Sequence, residues 1–319
     1  MRMRPLAGVV CVMATASVAV AAGADRTVAS PGQVIDLARS GYSVAFLSGP
    51  YKGHCGPHVE LWSLVSGGVF RLGRHSDAIC NEHPSGGSGV TDLAVAGTRA
   101  LWLAHAGGNL TDWVLETATT TRPVERQLEL EEVETGNPSP IVLGVASESV
   151  MPYSIGSKVK ALAPNGKLLY TWQAPGRVTN TTAYDGQVAV FVAGGHCYVL
   201  SPAGAVQQTY TFAPGAVREF ALAGAGLIVR LPGGKIEIHK GASVKKLTIP
   251  PSARMLDFAE SILLYQLADQ IRGRRVASGK DVLLRHGSLA QLEHKGLTYA
   301  LGRRVYSVAM VNVNAELNR

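Results

Sequence analysis

Charge is scarce in this chain. Asp, Glu, Lys and Arg make up 17% of its 319 residues and aromatics only 6%, while 46% are hydrophobic. That balance excludes a disordered polypeptide, which needs low hydrophobicity and dense charge. After residue 24 no stretch approaches the ~20 apolar residues of a membrane span, so no span is expected in the mature chain. No long helical period is visible, which points away from a helical domain. Enzyme signatures are missing as well. There is no Gly-x-Ser-x-Gly elbow, no His-Glu-x-x-His, no phosphate loop and no EF-hand-like acidic run. No catalytic residue and no cofactor is assigned on sequence.

The first 24 residues do have a distinct character. Arg2 and Arg4 form a positive start, Pro5 to Val20 is apolar and Ala-rich, and Ala19-Val20-Ala21 and Ala22-Gly23-Ala24 resemble cleavage sites. The expectation is a signal peptide at 1–24 and one domain at 25–319, in a secreted, periplasmic or extracellular protein; retention of the segment as an anchor is the alternative. Losing Arg2 and Arg4 takes the formal charge from +7 to +5.

Most of the remaining information is in a repeat. Its best copies start at Val178, Val217 and Met255, 39 and 38 residues apart. Each is a set of short alternating apolar runs broken by Gly, Asp, Asn or Pro, the pattern of a four-stranded propeller blade. Pairs such as Asn165-Gly166 and Asp185-Gly186 supply hairpin turns. Units starting at Val34, Val90, Ile141 and Leu289 bring the count to seven, with six or eight as alternatives. The seventh is one strand short. A ring must close to hide its edges, so Asp25 to Ser30 is expected to supply the last blade's outer strand. The predicted fold is therefore all-β: a β-propeller of antiparallel blades, closed by an N-terminal strand.

These repeats resemble the TolB-like and WD40-like secreted bacterial propellers. The tract GVTDLAVAGTRALWLAHAGGNLTDWVLETAT is similar to a blade of uncharacterised exported actinobacterial proteins. The resemblance spans the mature chain as a blade pattern only, without the Gly-His…Trp-Asp pair or the Asp-box. It implies a scaffold that binds partners and carries over no catalytic residues.

Two Cys-x-x-His units, Cys55–His58 and Cys80–His83, lie in insertions of the first blade, with His54 and His75 nearby. Two thiolates and two imidazoles could hold zinc. The expected arrangement is instead a Cys55–Cys80 disulfide, which export favours and which would stabilise by on the order of 3 kcal/mol, with Cys55, His58, Cys80 and His83 as a lesser metal candidate. Cys11 leaves with the signal, and Cys197 in HCYVLS is expected as a buried free thiol.

Glu125, Glu129, Glu131, Glu132 and Glu134 crowd one stretch, expected to be a contact loop, and an insertion is expected at Glu131 to Pro140. Arginines and lysines load the last two units, but without interleaved aromatics and in an exported chain they do not suggest nucleic acid. Asp92, Asp112 and Glu116 are the carboxylates open to catalytic use, with Asp92 also readable as a strand-start residue. Trp62, Trp102, Trp113 and Trp172 fit blade packing or a sugar-stacking face. The sequons at Asn109 and Asn180 would carry little weight if the source is bacterial.

Two functions are compatible with all this. One is a monomeric, non-catalytic scaffold binding a protein or an envelope polymer. The other is a cell-envelope glycan hydrolase or lyase working in the central channel, which requires a perturbed carboxylate or His at the channel mouth.

Overall fold

The structure is a computed structural model that describes residues 25–49, 58–73, 89–107 and 109–319. Residues 1–24, read above as a signal peptide, lie outside the described residues, as do His54, Cys55, His75, Cys80 and His83.

Seven four-stranded antiparallel sheets form a ring. The first described strand is β1 (Arg26–Ala29). Blade 1 follows with β2 (Gln33–Ser40), β3 (Ser43–Gly49), β4 (His58–Ser63) and β5 (Val69–Leu72). Blade 2 has β6 (Gly89–Ala96), β7 (Arg99–Gly107), β8 (Leu110–Thr119) and β9 (Arg122–Glu134). Blade 3 has β10 (Ile141–Leu143), β11 (Met151–Ile155), β12 (Lys158–Leu162) and β13 (Leu168–Gln173). Blade 4 has β14 (Val178–Tyr184), β15 (Gln187–Val192), β16 (His196–Leu200) and β17 (Val206–Thr211). Blade 5 has β18 (Glu219–Ala223), β19 (Gly226–Leu231), β20 (Lys235–Lys240) and β21 (Ser243–Thr248). Blade 6 has β22 (Arg254–Ala259), β23 (Ile262–Leu267), β24 (Gln270–Arg275) and β25 (Asp281–His286). Blade 7 has β26 (Leu289–Glu293), β27 (Gly296–Leu301) and β28 (Arg304–Ala309), and helix α1 (Met310–Asn318) ends the chain.

The missing strand of blade 7 is β1, as the shortfall in the last repeat predicts. It pairs antiparallel with β28, from Arg26 opposite Ser307 to Ala29 opposite Arg304. The first and last described strands therefore share one sheet, and each of the seven described sheets has four strands. Helix α1 was not legible from the sequence: VNV continues the alternation of β28, and nine residues give little helical period. It buries Met310, Val313 and Leu317 against blades 6 and 7.

The apolar alternation is explained by packing between blades. Middle strands are covered on both faces, so VAVFV in β15 and VAFL in β3 are buried throughout. Seven hydrophobic clusters follow the seven blade junctions around the ring. Trp62 fills the junction of blades 7 and 1 and Trp102 that of blades 1 and 2. Trp113 and Trp172 pack at the next two junctions, so all four tryptophans serve blade packing. Cys197 is fully buried and free, with its thiol pushed far above its usual range by burial. Among the described residues no helix is long and apolar enough to cross a membrane.

The expected acidic loop is not a loop. Glu125 to Glu134 belong to the 13-residue β9, which pairs with β8 from Leu110–Glu134 to Thr119–Arg122. The insertion expected at Glu131 to Pro140 accordingly begins only after Glu134. Interleaved Leu128 and Val133 keep this stretch in the strand, and Leu128 packs into the core between blades 2 and 3.

Candidate functional site

Every blade begins with a strand along the central channel, and four of these strands bulge at the same point in the repeat. The register slips between Val34 and Asp36, Val90 and Asp92, Val178 and Asn180, and Met255 and Asp257. A bulge leaves a backbone N–H out of the ladder. The side chain at the bulge accepts it: Asp36 from Leu37, Asn180 from Thr181 and Asp257 from Phe258, each at 2.8 Å. Asp257 also accepts the Leu292 N–H of blade 7 at 2.9 Å, latching neighbouring blades. The recurring Val-x-Asp-Leu motif thus has a backbone cause, and Asp92 is a strand residue of this set.

Carboxylates are consequently held where water is scarce. Burial raises Asp36 to about 7, offset by the Leu37 N–H and reinforced by Asp92. Burial likewise raises Asp257 to about 7. Asp92 is shifted in the same direction by its crowded surroundings. The channel between the inner strands is a cavity of about 210 Å³, bordered by Asp36, Arg254, Asp257 and Gln291.

At one end the channel widens into a cavity of about 1120 Å³. Its border includes Glu148, Asp185, Asp257, Glu260, Glu293 and His294. Asp185, Glu260 and His294 sit in the first hairpin turn of their blades, so this is the face where those turns project. Three non-glycine residues there hold left-handed backbone, Asp185 (φ 47°), Glu260 (φ 48°) and Ser261 (φ 60°). Such conformations cost energy in L-residues and collect where surroundings or function demand them.

Blade 3 departs from the ring to shape this mouth. Its inner strand β10 has three residues, and the chain then bridges to blade 4, with Val145 paired in parallel with Thr182. Gly144 permits the approach, because a Cβ there would stand 1.9 Å from Thr181 Oγ1. Val145 borders both the channel and the mouth, and the segment carries Glu148 across to blades 1 and 7. There Glu148 Oε1 lies 3.4 Å from His294 Nε2.

Glu293 forms the floor of the mouth. The Gly41 N–H donates to its Oε2 at 2.5 Å, and burial raises the carboxyl to about 8. Arg39 of blade 1 is buried beneath. Its guanidinium donates to Gly41 O at 3.2 Å and to the hydroxyls of Thr298 and Ser307, and burial lowers it to about 10. The Arg39 N–H donates to Gln291 Oε1, so one residue ties blade 1 to blade 7 through backbone and side chain.

The other sequence candidates do not join this site. Glu116 is buried and accepts the Trp102 indole N–H at 2.6 Å. Asp112 faces Glu132 across β8 and β9, so Asp92, Asp112 and Glu116 do not converge. His58 is buried in β4, where Arg71 Nη2 donates to its Nε2 at 3.1 Å. Its proposed zinc partners Cys55, Cys80 and His83, and the Cys55–Cys80 bond, fall outside the described residues. The strand ends beside those insertions, Gly49 and His58, stand at the opposite end of the hairpins from the mouth. Glu129 of β9 bonds blade 3, accepting from Tyr153 Oη at 2.7 Å and Lys160 Nζ at 2.5 Å. Arg39, Glu148, Asp257, Glu293 and His294 were not singled out from the sequence. Only Asp257 carried a usable signal, its place in the repeated bulge.

Comparison with known proteins shows the fold and stops there. No family model and no curated protein matches the chain. A propeller chain of the Mitotic Checkpoint Complex is similar with a TM-score of 0.55 and 13% identity, covering 89% of this chain and 94% of that one. The WD40 β-propeller domain of Doa1 gives 0.53 and 13%, over 90% and 96%. PorZ, a surface component of the type-IX secretion system of Porphyromonas gingivalis, gives 0.53 and 10%, over 90% of this chain and 39% of PorZ.

Proposed function

We propose that this chain is an exported, non-catalytic binding propeller that seats a protein or an envelope polymer over the channel mouth. The observation that carries this is the 1120 Å³ cavity on one face, where turns of several blades and the diverted segment of blade 3 converge. Propeller sheets are committed to packing, so recognition falls to turns held at their ends. The leader at 1–24 supports export, and the neighbours support the general role: one belongs to a checkpoint complex, another to a secretion system.

Photocrosslinking groups placed at Ser243 or Glu260 on the mouth, and at Glu132 on the outer strand, test this in the native envelope. Capture of one partner from the mouth positions alone is the expected result. Capture from Glu132 alone, or release of the chain in unprocessed form inside the cell, overturns it.

One observation favours a second reading. Carboxyl groups raised to about 7 and 8 at Asp36, Asp257 and Glu293 are the kind of acid a glycan hydrolase or lyase uses near neutral pH. Each of the three already accepts a backbone N–H, which favours the structural role. Release of reducing ends from envelope glycan, abolished in Glu293→Gln, would establish the enzyme instead.

A further inference from the structure

We propose that Glu148, Glu293 and His294 form a divalent-cation site at the channel mouth, which takes one first-row ion such as Mn²⁺ or Zn²⁺ and leaves coordination positions open toward the cavity. The proposal deepens the binding reading above by giving the mouth a ligand of its own. The three potential ligand atoms all lie within 4.8 Å of one another, although they come from blade 3 and blade 7. Metal–ligand bonds of about 2.0–2.2 Å need the donors somewhat closer. Two of the three can supply that movement, since the side chains of Glu148 and His294 are 51% and 43% exposed.

Glu293 is the fixed member, held by the Gly41 N–H at 2.5 Å. Gly41 serves the site a second time by having no side chain. A Cβ at this position would stand 2.2 Å from Glu148 Oε1, so glycine leaves the room in which the second carboxylate sits. The cavity is bordered by five carboxylates, Glu148, Asp185, Asp257, Glu260 and Glu293, against Lys240, Lys245 and His294.

The donor set indicates the ion. Two carboxylate oxygens and one imidazole nitrogen suit Mn²⁺ or Zn²⁺, whereas Ca²⁺ and Mg²⁺ prefer oxygen throughout and copper(I) prefers sulfur. Three protein ligands leave at least one position for water or a partner group. An exposed Glu148–His294 ion pair would alone contribute about 0–1 kcal/mol and would make no use of Glu293.

The test is titration of the purified protein with Mn²⁺, followed by water-proton relaxation and thermal midpoint, with Zn²⁺ followed by equilibrium dialysis. One Mn²⁺ per chain is expected, with enhanced relaxation from water at the open positions and a raised midpoint. His294→Ala and Glu148→Gln should each weaken binding at least tenfold while leaving the metal-free midpoint unchanged. No Mn²⁺ or Zn²⁺ bound at millimolar concentration, or equal binding by wild type and both variants, overturns the proposal. Zinc kept by those variants but lost in Cys55→Ser/Cys80→Ser overturns it too, by placing the ion in the first blade. Crosslinking from Ser243 separates the two ideas: partner capture without ion binding defeats only the cation site, and ion binding without capture defeats only the partner reading.

Discussion

The molecule carries carboxylates in two very different settings. On β9, at the rim of blade 2, five glutamates fall within ten residues of sequence. Around the channel and its mouth, Asp36, Glu148, Asp257 and Glu293 come from four separate blades. The rim group is conspicuous in sequence, yet an outer strand spreads it along the edge of its blade. The inner group is invisible in sequence, yet the ring gathers it where water is limited and three of its members are raised to about 7 or 8. Local density of charge therefore says little about function here. What matters is which charges the fold brings together and how much solvent it removes from them.

The sharpest way to break this contrast is at Arg39, the buried cation of the inner group. Arg39→Ala removes donors to Gly41 O, Thr298 and Ser307 and takes away the cation that draws the Glu293 carboxyl down. A loss of about 3 kcal/mol is expected in denaturant unfolding, because each buried hydrogen-bond partner left unmatched costs about 1–3 kcal/mol. An effect under about 1 kcal/mol would show that the inner wall is as well solvated as the rim.

Asp36→Asn is the next largest, with the opposite sign. Asn180 already occupies the equivalent bulge and accepts the same backbone N–H, so the amide preserves the structure. The Asp36 carboxyl is raised when folded, so the native state holds a proton that the unfolded chain releases as pH rises above about 4. Stability from this group is thus present at low pH and is lost between about pH 4 and 7. The variant should be more stable than wild type by about 2 kcal/mol at pH 8, and equal to it near pH 4. A difference that does not change with pH would place the Asp36 pKa in the ordinary range.

Much of the scaffold was legible because its signals are local. Apolar alternation and turn glycines marked all seven blades, and the unit from Leu289, one strand short, pointed to Asp25–Ser30 as the closing strand. The rim was misread for an equally local reason. Glutamate density in ERQLELEEVE suggests a solvated loop, and the alternating Leu128, Leu130 and Val133 that make it a strand were outweighed. The mouth was not legible at all. Glu148 and His294 lie on opposite sides of the sequence, and only ring closure and the diversion of blade 3 at Gly144 bring them to 3.4 Å. The bulge aspartates are an intermediate case, since Val-x-Asp-Leu was visible in Val34–Leu37 and Val90–Leu93 but its meaning lay in backbone register.

Within the rim itself the contrast can be tested residue by residue. Glu129 bonds another blade, through Tyr153 and Lys160, and is 19% exposed. Glu129→Gln should cost about 1 kcal/mol, the net worth of one partly buried charged hydrogen-bond pair. The smallest effect belongs to Glu132→Gln/Glu134→Gln. Both residues are exposed on the outermost strand, where substitutions normally stay within about 0.5 kcal/mol. Partner capture from the mouth should survive this double change as well, because β9 borders neither the channel nor its mouth. Should the double variant unfold like wild type but lose its partner, the rim would be the contact surface and the mouth only a feature of the scaffold. Intact capture leaves Glu132 and Glu134 as solubilising charge on an edge strand, where charge also discourages pairing with another chain.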